Sequence, residues 1–419
     1  MLRFAQHDNS HLYIRSSMRK ISADYIFPVS SPPIKNGVVT VDEDGIVLEV
    51  TKDEGRGTGN VEKYDGIIVP GFVNAHCHLE LSHLKGQVSE KSGLTGFISE
   101  LVPKRGQFSD DHVKAAIITA DEEMFRNGIV AVGDISNTDH SFDQKRKSKI
   151  TYHTFVEAFD LVSEKAKEKF EDAQTLNLKL ARPNEPFRNG RETLNSSVVP
   201  HAPYSVSGKL LELIDNLKQP LISIHNQETA SENELFASGT GLLAEMMRKS
   251  GVDMDVKKRA KKSLLFTFGA LIETKKVLLV HNTYMTEEDI ELIRQFTSIS
   301  EPEAVLCLCP NANLYIENRL PDIPTFIEAG MKLTLGTDSY ASNWNLSILE
   351  EMKTIAKFFP KIPFENLLTW ATKNGAEILG MEKEFGTIEK GKSPGLNLIT
   401  GIDLHTWGLS DHTKAQKIL

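Results

Sequence analysis

The chain has 419 residues, of which 40% are hydrophobic and 25% charged, and a formal net charge of -9. That length accommodates a barrel-sized domain plus a smaller one, while the acidic balance argues against a broad nucleic-acid or anionic-membrane surface. No apolar run approaches a membrane span and the N-terminus lacks a signal-peptide core. The expected partner is therefore a small-molecule substrate, with no nucleic acid and no membrane. Cys307 and Cys309 alternate on one apparent strand, a poor geometry for a disulfide, so a reducing, cytoplasmic setting is the simplest expectation.

Residues 1–17 have no clear periodicity and read as an N-terminal extension, with Met18-Arg19-Lys20-Ile21 leading into the first strand. Short strand and turn signals follow over 18–66, including the hairpin step Asp44-Gly45. Eight strand-like runs come next: Phe72–His78, Ile129–Ile135, Tyr152–Phe159, Ser197–His201, Leu221–His225, Val277–His281, Val305–Cys309 and Leu333–Asp338. Several are continuously apolar, as strands buried on both faces of a parallel sheet must be.

Helical stripes separate these runs. Val113, Ala116, Ile117, Ala120 and Met124 follow a Ser109 N-cap and stop before Gly128. Leu210, Leu211, Ile214 and Leu217 form a second stripe, and Leu292, Ile293 and Phe296 a third. The longest excursion, 233–271, reads as two or more helices and, with the loop before it, as a cover for the pocket. Two basic runs, Lys145-Arg146-Lys147 and Lys257 to Lys262, read as solvated faces. Strand signals return at 385–419. The expected fold is α/β: a (β/α)8 TIM barrel over 67–384, inserted into a small β-sandwich built from 18–66 and 385–419.

Barrel active sites form at the C-terminal ends of the strands, and those ends carry His76 and His78, His201, His225, His281 and Asp338. In His76-Cys77-His78 the two imidazoles lie on one side of a strand and converge, with Cys77 pointing away. Imidazole nitrogens with a carboxylate oxygen suit a divalent first-row metal, most often zinc, with iron(II) as the alternative.

The run Pro70–His78, the segment His225-Asn226-Gln227-Glu228, and Leu335-Gly336-Thr337-Asp338-Ser339 resemble the amidohydrolase superfamily. They are most similar to its mononuclear-metal deaminase branch, which includes guanine, cytosine and S-adenosylhomocysteine deaminases. The resemblance implies one metal ion on His76, His78, His225 and Asp338. It makes Glu228 the proton shuttle and Asp338 both ligand and proton acceptor. His281 becomes the residue that orients the attacking water or the tetrahedral intermediate, and His201 of Pro200-His201-Ala202-Pro203-Tyr204 faces the substrate. The fourth strand lacks the lysine that bridges two metals in binuclear relatives.

Within the branch, His78-Leu79-Glu80-Leu81-Ser82 and Pro310–Ile316 resemble 6-amino-6-deoxyfutalosine (aminofutalosine) deaminases of the alternative menaquinone pathway. That implies hydrolytic removal of an amino group from a purine nucleoside. Cyclic-amide hydrolysis or chlorohydrolysis is the alternative chemistry, and a non-catalytic scaffold the alternative class. Glu80 is assigned to substrate binding or to orienting a ligand histidine, and Tyr204 and Asn311 to the pocket wall. A homodimer is compatible with all of this.

Overall fold

The computed structural model describes residues 18–52, 60–180, 195–252, 257, 260–300 and 303–419. The extension expected at 1–17 lies outside the described residues. Both ends of the chain build one seven-stranded mixed sheet. Its strands are β1 (Arg19–Ile26), β2 (Ile34–Lys35), β3 (Gly37–Val41), β4 (Val47–Lys52) and β5 (Val61–Pro70). Between these and β14 (Leu396–Thr400) and β15 (Lys414–Lys417) come the eight barrel strands described next. The sheet order is β15-β14-β5-β1-β3-β4, with β2 on β1, and it folds over Ile21, Ile26, Val39, Val41, Val47, Ile68, Ile388 and Leu396.

The barrel strands are β6 (Phe72–Cys77), β7 (Ile129–Ser136), β8 (Thr151–Ala158), β9 (Asn195–Pro200), β10 (Ile222–Asn226), β11 (Lys276–His281), β12 (Glu303–Leu308) and β13 (Lys332–Leu335). They pair in parallel as two four-stranded sheets, β6-β7-β8-β9 and β10-β11-β12-β13. Sparse bonds close the two seams. His201 O accepts from the His225 backbone N–H at 2.9 Å, and His76 O accepts from the Thr337 and Asp338 N–H groups at 3.0 and 3.1 Å. Gly336 makes the second closure possible, because a Cβ there would stand 2.9 Å from both Cβ and O of His76 and 3.0 Å from Cys307 Sγ. Asn74 locks the same seam, donating to Thr337 Oγ1 at 2.8 Å and accepting from Thr337 N at 3.0 Å.

The sequence-predicted helices form as their caps require. The helix Asp110–Arg126 starts where Ser109 accepts from His112 N–H, and buries Val113, Ile117, Ala120 and Met124. The helix Gly208–Asp215 is capped by Ser207 and buries Leu210, Leu211 and Ile214. The excursion after β10 contains the helices Ala230–Ser238, Leu242–Lys249 and Ser263–Phe268. Leu264 and Phe268 of the third join the main core, whereas the apolar faces of the first two join a separate cluster. Leu235, Phe236, Leu243 and Met247 pack there with Leu81, Leu84, Tyr204 and Tyr315, above the C-terminal mouth of the barrel.

Each basic run departs from the solvated reading at one buried lysine, while Lys147 and Lys261 are exposed as expected. Lys145 is fully buried: its Nζ lies 2.6 Å from Asp134 Oδ2 and donates to Ser136 Oγ at 2.9 Å and Thr154 Oγ1 at 3.2 Å. Asp134 sits wholly inside the barrel wall, where a carboxylate without a counter-charge would be costly, and Lys145 supplies that charge. Lys257 is also buried, with its Nζ donating to Pro203 O at 2.6 Å and to Val206 O, and lying 3.9 Å from the Phe266 ring centroid. Lys262 meets the expectation only in part, since it pairs with Glu288 and Asp289 at 2.9 Å each.

Candidate metal centre and active site

His76 and His78 leave the end of β6 on one side, as a two-residue spacing in a strand dictates. His225 enters from β10 across the barrel. The Nε2 atom of His78 lies 3.2 Å from Nε2 of both His76 and His225. Asp338 Oδ1 stands 3.6 Å from His76 Nε2 and 3.4 Å from His78 Nε2. Ligand atoms held at 2.0–2.1 Å around a tetrahedral cation are separated by about 3.3 Å. The donor set thus has the spacing of a coordination shell for one divalent ion, and its imidazole and carboxylate chemistry suits zinc.

Hydrogen bonds set the ring orientations. His225 Nδ1 donates to His201 O at 2.8 Å, which leaves Nε2 as the lone pair facing the other histidines. Burial pushes His225 and His78 well below the usual histidine range, a shift that favours the neutral form a ligand needs. Burial would raise Asp338, but the His76 hydrogen bond and the neighbouring histidines outweigh it and hold the carboxyl well below its usual range. Its second oxygen accepts from Ser342 Oγ at 2.5 Å.

Glu228 lies three residues beyond His225, just before the helix Ala230–Ser238, with its Oε1 3.8 Å from His281 Nε2. Burial, then the charges of Asp338 and Glu317, push its pKa well above the carboxylate norm. His281 Nδ1 donates to Asn313 Oδ1 at 3.0 Å, and Asn313 is fixed by donating to Thr283 Oγ1 at 2.8 Å. The nitrogen facing Glu228 is therefore the unprotonated one. Gln227, His281, Asn282 and Asp338 all have positive φ, at 44°, 74°, 58° and 56°. Left-handed backbone at non-glycine residues is costly and concentrates at functional sites; here it turns three strand ends into the barrel mouth.

The other sequence candidates fall into distinct places. His201 lies beside the histidine cluster, with its ring 4.9 Å from that of His225 and Nδ1 2.6 Å from Ser205 Oγ. Tyr204 is buried in the apolar cover, its ring 5.8 Å from His201. Asn311 turns its Oδ1 to Thr354 Oγ1 at 2.5 Å, so the neighbouring Asn313 is the asparagine on His281. Glu80 is buried and saturated: Oε1 pairs with Arg105, while Oε2 accepts from Asn137 N at 3.1 Å, Thr138 N at 3.0 Å and Thr138 Oγ1 at 2.8 Å. Cys77, Cys307 and Cys309 are free thiols, all buried.

Sequence reasoning passed over Glu157. It closes β8 with a side chain only 3% exposed, and its Oε1 lies 3.7 Å from His225 Nδ1. The available signal was the one carboxylate in a buried strand, near its C-terminal end, in Tyr152-His153-Thr154-Phe155-Val156-Glu157.

The amidohydrolase family profile matches residues 67–416, most of the chain and all of the site. The chain belongs to the amidohydrolase family. A 5-methylthioadenosine/S-adenosylhomocysteine deaminase of Bacillus cereus is 26% identical over 381 residues, covering 86% of this chain and 79% of the relative. Among solved structures, aminofutalosine deaminase of Helicobacter pylori in complex with methylthio-coformycin superposes with a TM-score of 0.76 at 21% identity, over 92% of this chain and 93% of that one. Atrazine chlorohydrolase of Arthrobacter aurescens, complexed with zinc, gives 0.72 at 17% identity, over 94% and 92%. The two superpositions establish the shared barrel-and-sandwich fold.

Proposed function

We propose that this amidohydrolase removes the exocyclic amino group of an adenine-type nucleoside, with aminodeoxyfutalosine as the leading substrate. In this reading His76, His78, His225 and Asp338 hold one zinc ion, Glu228, Asp338 and His281 carry the chemistry, and His201 and Tyr204 face the substrate. The observation that carries it is the pairing of Glu228 with His281, 3.8 Å apart and opposite the histidine–aspartate cluster. A second, proton-holding carboxyl at this point suits loss of an amine, which needs a proton on the ring nitrogen before the C–N bond can break. The B. cereus relative is named for the same class of substrate, a purine nucleoside with a modified 5′ side.

A bound divalent ion lowers the pKa of water from about 15.7 toward ~7 and so supplies hydroxide at neutral pH. The residues then divide the proton traffic. Glu228, kept protonated by burial, donates to the ring nitrogen beside the amino-bearing carbon, which becomes electrophilic. His281, with Nδ1–H fixed on Asn313, keeps its Nε2 lone pair toward the incoming oxygen. Asp338 takes the hydroxyl proton released on attack and passes it to the departing amine, and the proton shed when water becomes hydroxide returns Glu228 to its acid form. Water is consumed, the C–N bond breaks, and ammonia leaves a carbonyl behind.

The apolar cover over Leu81 and Tyr204 supports a substrate enclosed away from bulk water. Buried free thiols and the absence, among the described residues, of any helix long and apolar enough to cross a membrane are compatible with a cytoplasmic enzyme, monomeric or homodimeric. The test is ammonia release from zinc-loaded protein offered adenine, guanine, cytosine, their nucleosides and aminodeoxyfutalosine. Turnover of adenine nucleosides supports the reading. Activity confined to guanine, a cyclic amide or a chlorinated ring would overturn the substrate class.

A further inference from the structure

Glu157 is a buried carboxylate whose two oxygens have very different surroundings. Oε2 accepts from Asn137 Nδ2 at 3.0 Å. Oε1 is buried without a hydrogen-bond partner among the described residues, 3.7 Å from the Nδ1 edge of His225. A buried polar atom left unsatisfied incurs its full desolvation penalty, more when charged, so it calls for a compensating role. Two roles can be weighed on geometry.

The first is a second cation on Glu157, His201 and His225, whose donor atoms lie within 4.8 Å of one another. His225 argues against it. Its Nδ1 is committed as a donor to His201 O at 2.8 Å, and its Nε2 already faces His76 and His78. A cation there would have to displace the proton that fixes the ring.

The second role uses that proton. A negative oxygen beside the donor edge of an imidazole draws positive charge toward Nδ1 and leaves Nε2 the stronger electron-pair donor. Carboxylates behind ligand histidines act in this way, and their loss commonly costs 10–100-fold in metal affinity. The carboxylate is itself held in place. Asn137 accepts from Arg105 Nη1 at 3.2 Å through Oδ1 and gives its backbone N–H to Glu80 at 3.1 Å, while Arg105 also pairs with Glu80. Glu80 lies two residues beyond His78. One chain of contacts, Glu80–Arg105–Asn137–Glu157, thus runs from the turn after the first ligand pair to the back of the third ligand.

We infer that Glu157 is a positioning residue for His225, tightening the hold of the site on its metal without touching substrate. The inference rests on the metal assignment proposed above. The full-length zinc-loaded enzyme is titrated with a chromophoric chelator, and zinc affinity is compared for wild type, Glu157→Gln and Asn137→Ala. Glu157→Gln should bind zinc 10–100-fold more weakly, with KM at saturating zinc unchanged. Its melting temperature in excess chelator should equal that of wild type. Asn137→Ala, which frees the carboxylate but keeps its charge, should weaken zinc by a smaller factor in the same direction, and remains informative if the glutamine variant misfolds. Unchanged zinc affinity in both variants would overturn the inference, with a raised KM assigning Glu157 to the substrate and a lowered chelated melting temperature assigning it to packing. Failure of wild type to retain zinc would instead overturn the metal assignment.

Discussion

Glu228 and Glu80 are both buried carboxylates a few residues beyond ligand histidines, yet their surroundings send them to different work. Among the described residues Glu228 meets no cation, and it faces His281, so it can hold and release a proton. Glu228→Gln should keep its zinc and its melting temperature while kcat falls by roughly 10²–10⁴; metal analysis alongside steady-state rates checks this, and a kcat within a factor of three would remove Glu228 from proton transfer. Glu80 is bound on both oxygens, and Glu80→Ala would strand the donors of Asn137, Thr138 and Arg105. A loss of about 2 kcal/mol in stability is expected, read by denaturant titration of the zinc-free protein. Little change there, with a raised KM, would return Glu80 to the substrate. The ligand histidines were legible because a strand-end histidine stands out against an apolar run. Lys145 and Lys257 were not: each lies among other cations, and what buries it is a partner distant in the chain, Asp134 in one case and the Pro203 and Val206 carbonyls in the other. Glu157 is hard to read for a related reason, since its meaning depends on His225, 68 positions away by residue number.

At the scale of elements, β8 shows how much one strand contributes beyond its last residue. His153, Phe155 and Glu157 alternate onto one face; the first is buried with Nε2 2.7 Å from Ser197 Oγ on the neighbouring strand. Burial lowers the pKa of His153 to about 4. A histidine in the unfolded chain takes its proton near pH 6.5, so below that pH the unfolded state gains a proton that the folded state refuses. Stability should therefore fall as pH drops from about 6.5 to about 4, by on the order of 3 kcal/mol from this residue. His153→Gln should flatten that limb of a denaturation-against-pH profile. An unchanged acid limb would place the titration elsewhere. The strands themselves were legible from runs of apolar, β-branched residues, and the observed limits follow those runs closely except at β13, which stops at Leu335 because the chain must turn to present Asp338. The helices Ala230–Ser238 and Leu242–Lys249 were legible as a cover only by their length, and their contacts with Tyr204 and Tyr315 give that cover its floor. Exchanging this segment for that of a related deaminase should change the ratio of kcat/KM between two nucleosides while leaving zinc content alone; a constant ratio would deny it a part in selection.

In the molecule as a whole, the barrel is two four-stranded half-barrels joined at seams, and the metal centre draws on both halves. His76, His78 and Asp338 meet at the seam between β6 and β13, where Cys77 and Asp338 form an isolated parallel bridge. His76 and His78 belong to the β6–β9 half and Asp338 to the β10–β13 half, as does His225, which lies beside the β9–β10 seam closed by His201 O. A barrel was legible from eight alternating units, but the seams were not, because they depend on register and on Gly336 allowing close approach rather than on any local pattern. This arrangement makes the ion a cross-link between halves that few backbone bonds hold together. An ion that binds only the folded chain stabilises it by about 2.7 kcal/mol when free metal stands at a hundred times Kd. Removing zinc with excess chelator should thus lower the melting temperature by several degrees, and restoring one equivalent should recover it. His78→Ala and His225→Ala, one from each half, should both bring the zinc-loaded midpoint down to the chelated one. If chelation leaves the midpoint where it was, the ion does not join the halves; if two equivalents are needed for recovery, the single-metal centre fails as well.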